Sequence, residues 1–153
     1  MKTLEDRLSA IQMLVLDVDG VLTDGRLHYD PHKEAMKAFH AQDGLGIKLL
    51  IRHGIQVAVI SGRASVIVEN RLNQLGIKHA YLGYEDKRPA WQDLLKKTQL
   101  SPDNIAYMGD DLPDAPLMQL AGLAITVANA ADHVSAYCHW QTKRNGGHGA
   151  VRE

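Results

Sequence analysis

Five short apolar runs, rich in β-branched residues, constrain the fold of this chain more than any other feature. They cover residues 12–17, 55–61, 79–82, 104–110 and 123–128. Their apolar residues are continuous rather than alternating, which is typical of strands buried on both faces of a parallel sheet. The sequence therefore predicts a central parallel sheet built from these runs.

Helix-length segments lie between the runs. The segments 46–54, 64–76 and 116–122 each end in a glycine, and an apolar residue that opens the next strand follows at once. Glycine at such a junction is a common helix terminator. Pro89 marks the start of a further helix through Trp91. This alternation predicts an α/β fold with a doubly wound, Rossmann-like parallel sheet, in which ligands bind at the carboxyl ends of the strands.

Residues 25–41 interrupt the alternation. They form two short extended stretches around an Asp-Pro-His-Lys turn, which predicts a β-hairpin inserted into the fold. The final segment, residues 143–153, is rich in glycine, and we predict a mobile tail. No linker or repeat divides the sequence, so we expect a single domain over residues 1–153.

Composition limits the classes of partner and compartment. The chain has 153 residues and a net charge of -1, which gives no reason to expect a nucleic acid or a membrane surface as partner. Its single cysteine, Cys138, forms no internal disulfide. The N-terminus is too polar for a signal peptide, and no apolar run approaches transmembrane length. We expect a cytoplasmic protein.

Polar residues and a glycine lie where the predicted strands end. Asp17 and Asp19 follow the first strand, and Ser61, Gly62 and Arg63 follow the second. Lys87 comes after the third strand, and Asp110, Asp111 and Asp114 come after the fourth. Because the carboxyl ends of parallel strands face one crevice, these groups should converge. Several carboxylates in one crevice need a cation. Hard oxygen ligands of this type suit Mg²⁺, which binds to one or two carboxylates together with a substrate phosphate.

The same crevice carries groups that a phosphate needs. Ser61 offers a hydroxyl donor, Lys87 offers a positive charge, and the glycines let backbone N–H groups approach closely. One carboxylate of the Asp17-Val-Asp19 pair can attack phosphorus and form an aspartyl-phosphate. Its neighbour can protonate the leaving alcohol and later deprotonate water. The spacing of the two acids therefore predicts a nucleophile beside an acid/base.

Four motifs in this order resemble those of the haloacid dehalogenase-like phosphatases, namely DVDGVLT from Asp17, Ser61-Gly62-Arg63, Lys87, and GDDLPD from Gly109. Longer stretches, including KAFHAQDGLGIKLL and GGHGAVRE, are similar to the 3-deoxy-D-manno-octulosonate 8-phosphate phosphatases of lipopolysaccharide precursor synthesis. This resemblance covers the chain from about residue 11 to the end.

The resemblance implies a role for each acidic motif residue. Asp17 would be the nucleophile and a Mg²⁺ ligand. Asp19 would be the general acid/base and would bind Mg²⁺ through its backbone carbonyl. Asp110 would be a further metal ligand, and Asp111 and Asp114 would support its loop.

The resemblance also implies how substrate is bound. Ser61 and Lys87 would hold the phosphoryl group, and Gly62 and Arg63 would contact the phosphorylated sugar acid. Two substrate-binding positions depart from the family pattern: Gln42 stands where a basic residue is usual, and His148 replaces an arginine of the tail.

The family lacks a separate cap domain, and the hairpin would stand in its place. Its members form tetramers in which the hairpins pack together and neighbouring subunits help to close each site. We therefore expect a homotetramer.

Three alternatives stay open. The substrate could be another nonulosonate, such as a sialic-acid-like 9-phosphate. A receiver module of signalling proteins also combines clustered acids with a lysine, but there the acid pair and the phosphorylated aspartate lie on different strands. A catalytically silent subunit would lack Asp17, Asp19 or Lys87, and all three are present.

Overall fold

The computed structural model describes residues 2–32 and 34–153. Its strands are β1 (Met13–Leu16), β2 (His28–Tyr29), β3 (Glu34–Met36), β4 (Gln56–Ser61), β5 (His79–Leu82), β6 (Ile105–Gly109), β7 (Leu123–Thr126) and β8 (Trp140–Gln141). Its α-helices are α1 (Leu4–Ser9), α2 (Ala41–Arg52), α3 (Val66–Leu75), α4 (Arg88–Thr98) and α5 (Ala115–Leu120). Short 3₁₀ turns cover Pro102–Asn104, Leu112–Asp114 and Asp132–Tyr137.

The main sheet is parallel, with strand order β5-β4-β1-β6-β7-β8. The chain leaves β1 toward β4 on one side and later returns to β6 on the other. This reversal makes the carboxyl end of β1 a topological switch point, where ligands bind in sheets of this kind. The predicted doubly wound α/β fold is confirmed.

The sheet is buried on both faces. Leu16 of β1 packs with Ile47 of α2 and Leu72 of α3 on one face. Met13 and Val15 of the same strand join a second cluster on the other face, with α4 and α5. Successive strand residues point to opposite faces, so a strand covered on both sides must be apolar at every position. This explains why the apolar runs are continuous.

Two of the three helix-ending glycines behave as predicted. Gly76 caps α3 in the left-handed region at φ +79°, and Gly54 follows the cap of α2 at φ +85°. Gly122 was predicted wrongly as a helix terminator, because α5 is capped by Ala121 in an extended conformation. A Cβ on Gly122 would lie 2.2 Å from the carbonyl oxygen of Asp103. This glycine is needed for close packing of two loops rather than for a helix end.

Helix α2 starts at Ala41, five residues before the predicted segment 46–54. The side chain of His40 accepts a hydrogen bond from the backbone N–H of Gln42 and so caps the helix. Gly44 lies inside the helix at a place where a Cβ would be 2.5 Å from Nη2 of Arg71. Two glycines lie in the first turns, and because glycine is a poor helix former the sequence pattern did not indicate a helix start at Ala41.

The inserted segment forms an antiparallel pair between β2 and β3, in which His28 faces Met36 and Tyr29 faces Glu34. Lys33, in the predicted turn, lies outside the described residues. Leu27, Tyr29 and Met36 expose much of their side chains.

The C-terminal tail lies against the domain in this structure. The backbone N–H groups of Gly149 and Arg152 donate to the buried carboxylate of Asp43, at 3.3 and 2.8 Å. Gly146 lies so close to the loop after β1 that a Cβ there would be 1.6 Å from the carbonyl oxygen of Gly20. The mobility of residues 143–153 in solution stays a prediction.

Within residues 2–32 and 34–153, no helix has both the length and the apolar character that crossing a bilayer requires.

We predict that Gly146→Ala destabilises the fold, because the new methyl group would displace either the tail or the backbone of Gly20. The expected loss in free energy of unfolding is about 2 kcal/mol, measured by urea denaturation. Asn145→Ala, a change at the neighbouring exposed position, serves as the control. Equal stability of the two variants would show that the tail is not packed on this loop.

Candidate active site

A cavity of about 580 Å³ opens at the carboxyl ends of the central strands. It lies where β1, β4 and β6 end, at the switch point of the sheet. Every site residue predicted from the sequence lines it except Gln42 and His148. The topology therefore brings together groups that are separated by up to 97 positions in the chain, from Asp17 to Asp114.

The ammonium group of Lys87 is the centre of the site. Its side chain is 3% exposed, and Nζ lies 2.6 Å from Oδ1 of Asp17 and 2.6 Å from Oδ1 of Asp114. Lys87 immediately precedes α4 and acts as its N-terminal cap residue, so the helix start fixes the position of the lysine backbone. A buried ammonium is stable only when it is paired and hydrogen-bonded, and here two carboxylates surround it.

Asp114 organises the loop that follows β6. Its Oδ1 accepts hydrogen bonds from Lys87 and from the Tyr107 hydroxyl, the latter at 2.6 Å. Its Oδ2 accepts the backbone N–H groups of Asp110 and Asp111 at 2.9 and 3.2 Å. Both carboxylate oxygens are therefore occupied by protein donors, which suits a supporting role better than that of a metal ligand.

Carboxylate oxygens of Asp17, Asp110 and Asp114 lie within 4.8 Å of one another. Gly20, at φ +97°, allows the loop after β1 to approach Asp110, because a Cβ there would lie 1.9 Å from Oδ2 of Asp110. A compact set of hard oxygen donors at this place fits Mg²⁺.

The crowding of carboxylates changes their acidity. Burial raises the pKa of Asp17 to about 7, and repulsion from Asp114 adds to the effect, while Lys87 opposes it. Burial also raises the pKa of Asp110 to about 8, with further repulsion from Asp17 and Asp114. The ammonium group of Lys87 therefore does not balance the negative charge of these carboxylates, and a bound divalent cation would do so.

Asp19 is surrounded by side chains from other elements. The Lys37 ammonium, from the segment after β3, donates to Oδ1 of Asp19. Nε of Arg63 lies 3.9 Å from Oδ2 of the same carboxylate. Arg63 also donates to the hydroxyl of Tyr29 on β2. The inserted hairpin thus reaches the predicted acid/base within one chain.

Ser61 ends β4 and is 2% exposed. Its Oγ accepts a hydrogen bond from the backbone N–H of Arg63 at 3.4 Å, across the turn at Gly62. Its carbonyl oxygen accepts from the N–H of Tyr84 at 3.0 Å. These contacts hold the Ser-Gly-Arg turn at the cavity wall.

Gln42 and His148 do not line the cavity of their own chain. Oε1 of Gln42 accepts a hydrogen bond from Arg144 in the tail at 3.0 Å, and the His148 side chain is exposed. Asp43 docks the tail beside the start of α2 by accepting the backbone N–H groups of Gly149 and Arg152. Their substrate-binding role stays a prediction.

Sequence reasoning missed Tyr107 and Lys37. A tyrosine in the fully buried strand β6 was a usable signal, because a buried hydroxyl needs a polar partner. Lys37 opens the stretch KAFHAQDGLGIKLL that resembles the family, but nothing in its residue type indicated a contact with Asp19, since a lysine in a hairpin is ordinarily solvated.

Comparison with known proteins places this site in a family. Residues 83–153 match the sequence pattern of the haloacid dehalogenase-like hydrolases. The 3-deoxy-D-manno-octulosonate 8-phosphate phosphatase of Yersinia pestis is 44% identical over 96% of this chain and 79% of its own length. The chain belongs to this phosphatase family. Its members are phosphomonoester hydrolases of the haloacid dehalogenase-like superfamily.

Solved structures show the same fold. A superfamily hydrolase from Legionella pneumophila has a TM-score of 0.94 and 51% identity, over 97% of this chain and 81% of that one. The family phosphatase from Moraxella catarrhalis, solved with magnesium, phosphate and KDO, has a TM-score of 0.92 and 40% identity. That match covers 95% of this chain and 84% of the other.

We predict that the metal-free protein loses stability as pH rises from about 4 to 8. The raised pKa values of Asp17 and Asp110 mean that the folded state holds protons in this range that the unfolded chain has released. Mg²⁺ should replace those protons, so its stabilisation is expected to be larger at pH 8 than at pH 5.5. Thermal unfolding with EDTA or MgCl₂ measures both effects.

The Asp110→Asn variant isolates this contribution. It should raise the metal-free melting temperature at pH 8 and reduce the stabilisation by Mg²⁺, whereas the exposed Asp132→Asn should change neither. The assignment of raised pKa values to these carboxyl groups would be contradicted if the metal-free wild type became more stable between pH 5.5 and pH 8 while Asp110→Asn did not.

Proposed function

We propose that the protein is a Mg²⁺-dependent phosphatase that hydrolyses 3-deoxy-D-manno-octulosonate 8-phosphate to the free sugar acid and phosphate, in lipopolysaccharide precursor synthesis. The observation that carries the proposal is the contact of Lys87 with Asp17 at 2.6 Å. It lies in a cavity that also holds Asp19 and Asp110, in a chain 44% identical to a phosphatase of that name.

In the first step, a carboxylate oxygen of Asp17 attacks the phosphorus atom, and the bond between phosphorus and the sugar oxygen breaks. Asp19 gives its proton to the departing sugar oxygen, so the product leaves as an alcohol. The phosphoryl group is then bonded to Asp17 as an aspartyl-phosphate.

In the second step, the Asp19 carboxylate takes a proton from a water molecule, whose oxygen attacks phosphorus. The bond between Asp17 and phosphorus breaks, which releases phosphate and restores the nucleophile. One residue serves both steps because each requires a proton transfer on the side opposite to the Asp17 oxygen.

Asp17, Asp110 and the backbone carbonyl of Asp19 would hold Mg²⁺. When bound, the ion would neutralise charge on the phosphate oxygens and the neighbouring acids. Ser61, Gly62 and Lys87 would bind the remaining phosphate oxygens through the hydroxyl, a backbone N–H and the ammonium group.

The sugar-acid end of the substrate needs residues beyond these. Arg63 lies at the cavity and offers a cation. We propose that Gln42 and His148 contribute from a neighbouring subunit of a homotetramer, because neither reaches the cavity of its own chain. The exposed Leu27, Tyr29 and Met36 of the hairpin are suited to pack against other hairpins in that assembly.

Gln42 and His148 depart from the family pattern near the sugar acid, so a sialic-acid-like nonulosonate 9-phosphate is kept as the alternative substrate. We also propose a cytoplasmic location, with which the single thiol of Cys138 is consistent.

We predict Mg²⁺-dependent release of phosphate from 3-deoxy-D-manno-octulosonate 8-phosphate, and a loss of at least about 1,000-fold in kcat for Asp17→Asn. The variant replaces the nucleophilic carboxylate with a neutral amide while keeping the shape of the side chain. A phosphate-release assay with MgCl₂ or EDTA measures both. Asp132→Asn, an exposed acid-to-amide change, is the matched control.

The substrate panel should include a sialic-acid-like 9-phosphate. A higher kcat/KM for that compound would support the alternative substrate. One phosphorylation per chain without turnover would point to a receiver module, and activity retained in Asp17→Asn would contradict the nucleophile assignment.

We predict that sedimentation shows a tetramer and that the double variant Leu27→Ser, Met36→Ser weakens it, because both side chains are exposed and apolar on the hairpin. Leu120→Ser, at a position equally exposed but outside the hairpin, should leave the assembly intact. A monomer at micromolar concentration in the wild type would rule out shared sites.

A further inference from the structure

Lys37 lies outside every motif that defines the site, yet its side chain is 1% exposed. Its ammonium group donates to Oδ1 of Asp19 and lies 2.9 Å from Oε1 of Glu34. An ammonium group removed from water is costly unless it is paired, and both partners here are carboxylates. This is a specific buried contact rather than a solvated surface pair.

The contact belongs to a chain of interactions that begins in α3. Ser65 caps that helix through its hydroxyl oxygen, which accepts the N–H of Val68 at 3.4 Å. The same hydroxyl donates to Oε2 of Glu34 on β3. Glu34 in turn pairs with Lys37. The hairpin is thereby attached to a helix start on one side and to Asp19 on the other.

Asp19 depends on such a contact for its orientation. It lies three residues beyond the end of β1, in the turn before Gly20, so no strand pairing fixes its position. Lys37 donates to Oδ1, whereas within the described parts of the chain no hydrogen bond reaches Oδ2, and Nε of Arg63 lies 3.9 Å from that oxygen. One oxygen is therefore anchored, and the other is left for proton transfer.

We propose that Lys37 is a positioning residue for Asp19, which rests on the phosphatase function proposed above. Lys37 touches no reacting atom; it holds the carboxyl group of Asp19 in the orientation from which the second oxygen serves the leaving group. Glu34 keeps the ammonium paired when Asp19 carries a proton. Correct folding of the hairpin thus becomes a condition for acid/base catalysis.

The dependence on the leaving group tests this role. A sugar alcohol leaves poorly without a proton, whereas p-nitrophenolate leaves well without one. Three substrates are therefore compared: 3-deoxy-D-manno-octulosonate 8-phosphate, a sugar phosphate without a carboxylate that the wild type turns over, and p-nitrophenyl phosphate. Asp19→Asn supplies the reference pattern for a missing acid.

Single turnovers with excess enzyme report the first step alone, which is the step that differs between substrates. In them Lys37→Met should slow release of the sugar from both sugar phosphates by about 10- to 100-fold and release of p-nitrophenol by less than about threefold. The same dependence on the leaving group is expected for Asp19→Asn, with larger losses. Lys37→Arg, which keeps the charge, should recover part of the loss. Lys48→Met, at an exposed position on α2, should behave as wild type.

Each other pattern overturns the proposal. A loss confined to the sugar acid would make Lys37 a ligand of the substrate carboxylate. An equal loss of the single-turnover rate on all three substrates would make it a residue needed only for folding. A wild type inactive on every substrate would instead refute the proposed function.

Two measurements keep the test decisive if Lys37→Met is poorly folded. Glu34→Gln weakens the contacts of Glu34 with Lys37 and Ser65. It should give the same difference between sugar phosphates and p-nitrophenyl phosphate, with smaller losses. Hydrogen–deuterium exchange of the metal-free protein should show faster exchange in β2 and β3, residues 28–29 and 34–36, for Lys37→Met than for Lys48→Met. Unchanged exchange, together with unchanged kinetics in Glu34→Gln, would contradict the role.

Discussion

The buried ammonium group of Lys87 is the interaction on which the site depends. It bridges Asp17, at the end of β1, and Asp114, in the loop after β6, at 2.6 Å each. Asp114 then holds the backbone of Asp110 through its other oxygen, and Tyr107 hydrogen-bonds to the same carboxylate. Since a buried ion pair is a weak source of stability, this arrangement is better understood as a device for orienting Asp17, the proposed nucleophile, and the loop that carries Asp110, a proposed metal ligand.

Glycine permits the close approaches that this geometry needs. The loop after β1 lies between Asp110 on one side and the tail on the other, and Gly20 and Gly146 are the residues at the two contacts. A side chain at either place would separate the loop from its neighbours. The tail and the hairpin therefore both contact the same short loop, one through backbone packing and the other through Lys37.

Much of the fold could be predicted from local patterns. The five main strands and the helix ends at Gly54 and Gly76 followed from apolar continuity and glycine placement, since both depend on neighbouring residues. The start of α2 and the reason for Gly122 could not, because a histidine cap and a close approach to Asp103 depend on tertiary context. The short strand β8 and helix α1 were missed because neither is long enough to give a periodic signal.

The sequence by itself determined the sheet, the family and the convergence of Asp17, Asp19, Ser61, Lys87 and Asp110. Parallel strands joined by crossovers all end at one edge of the sheet, which brings these residues together whatever order the strands take. Only the tertiary structure decided which carboxylate pairs with Lys87, that Gln42 and His148 lie away from their own cavity, and that Lys37 reaches Asp19. Those contacts join side chains from different elements, and their distances depend on packing that local sequence does not encode.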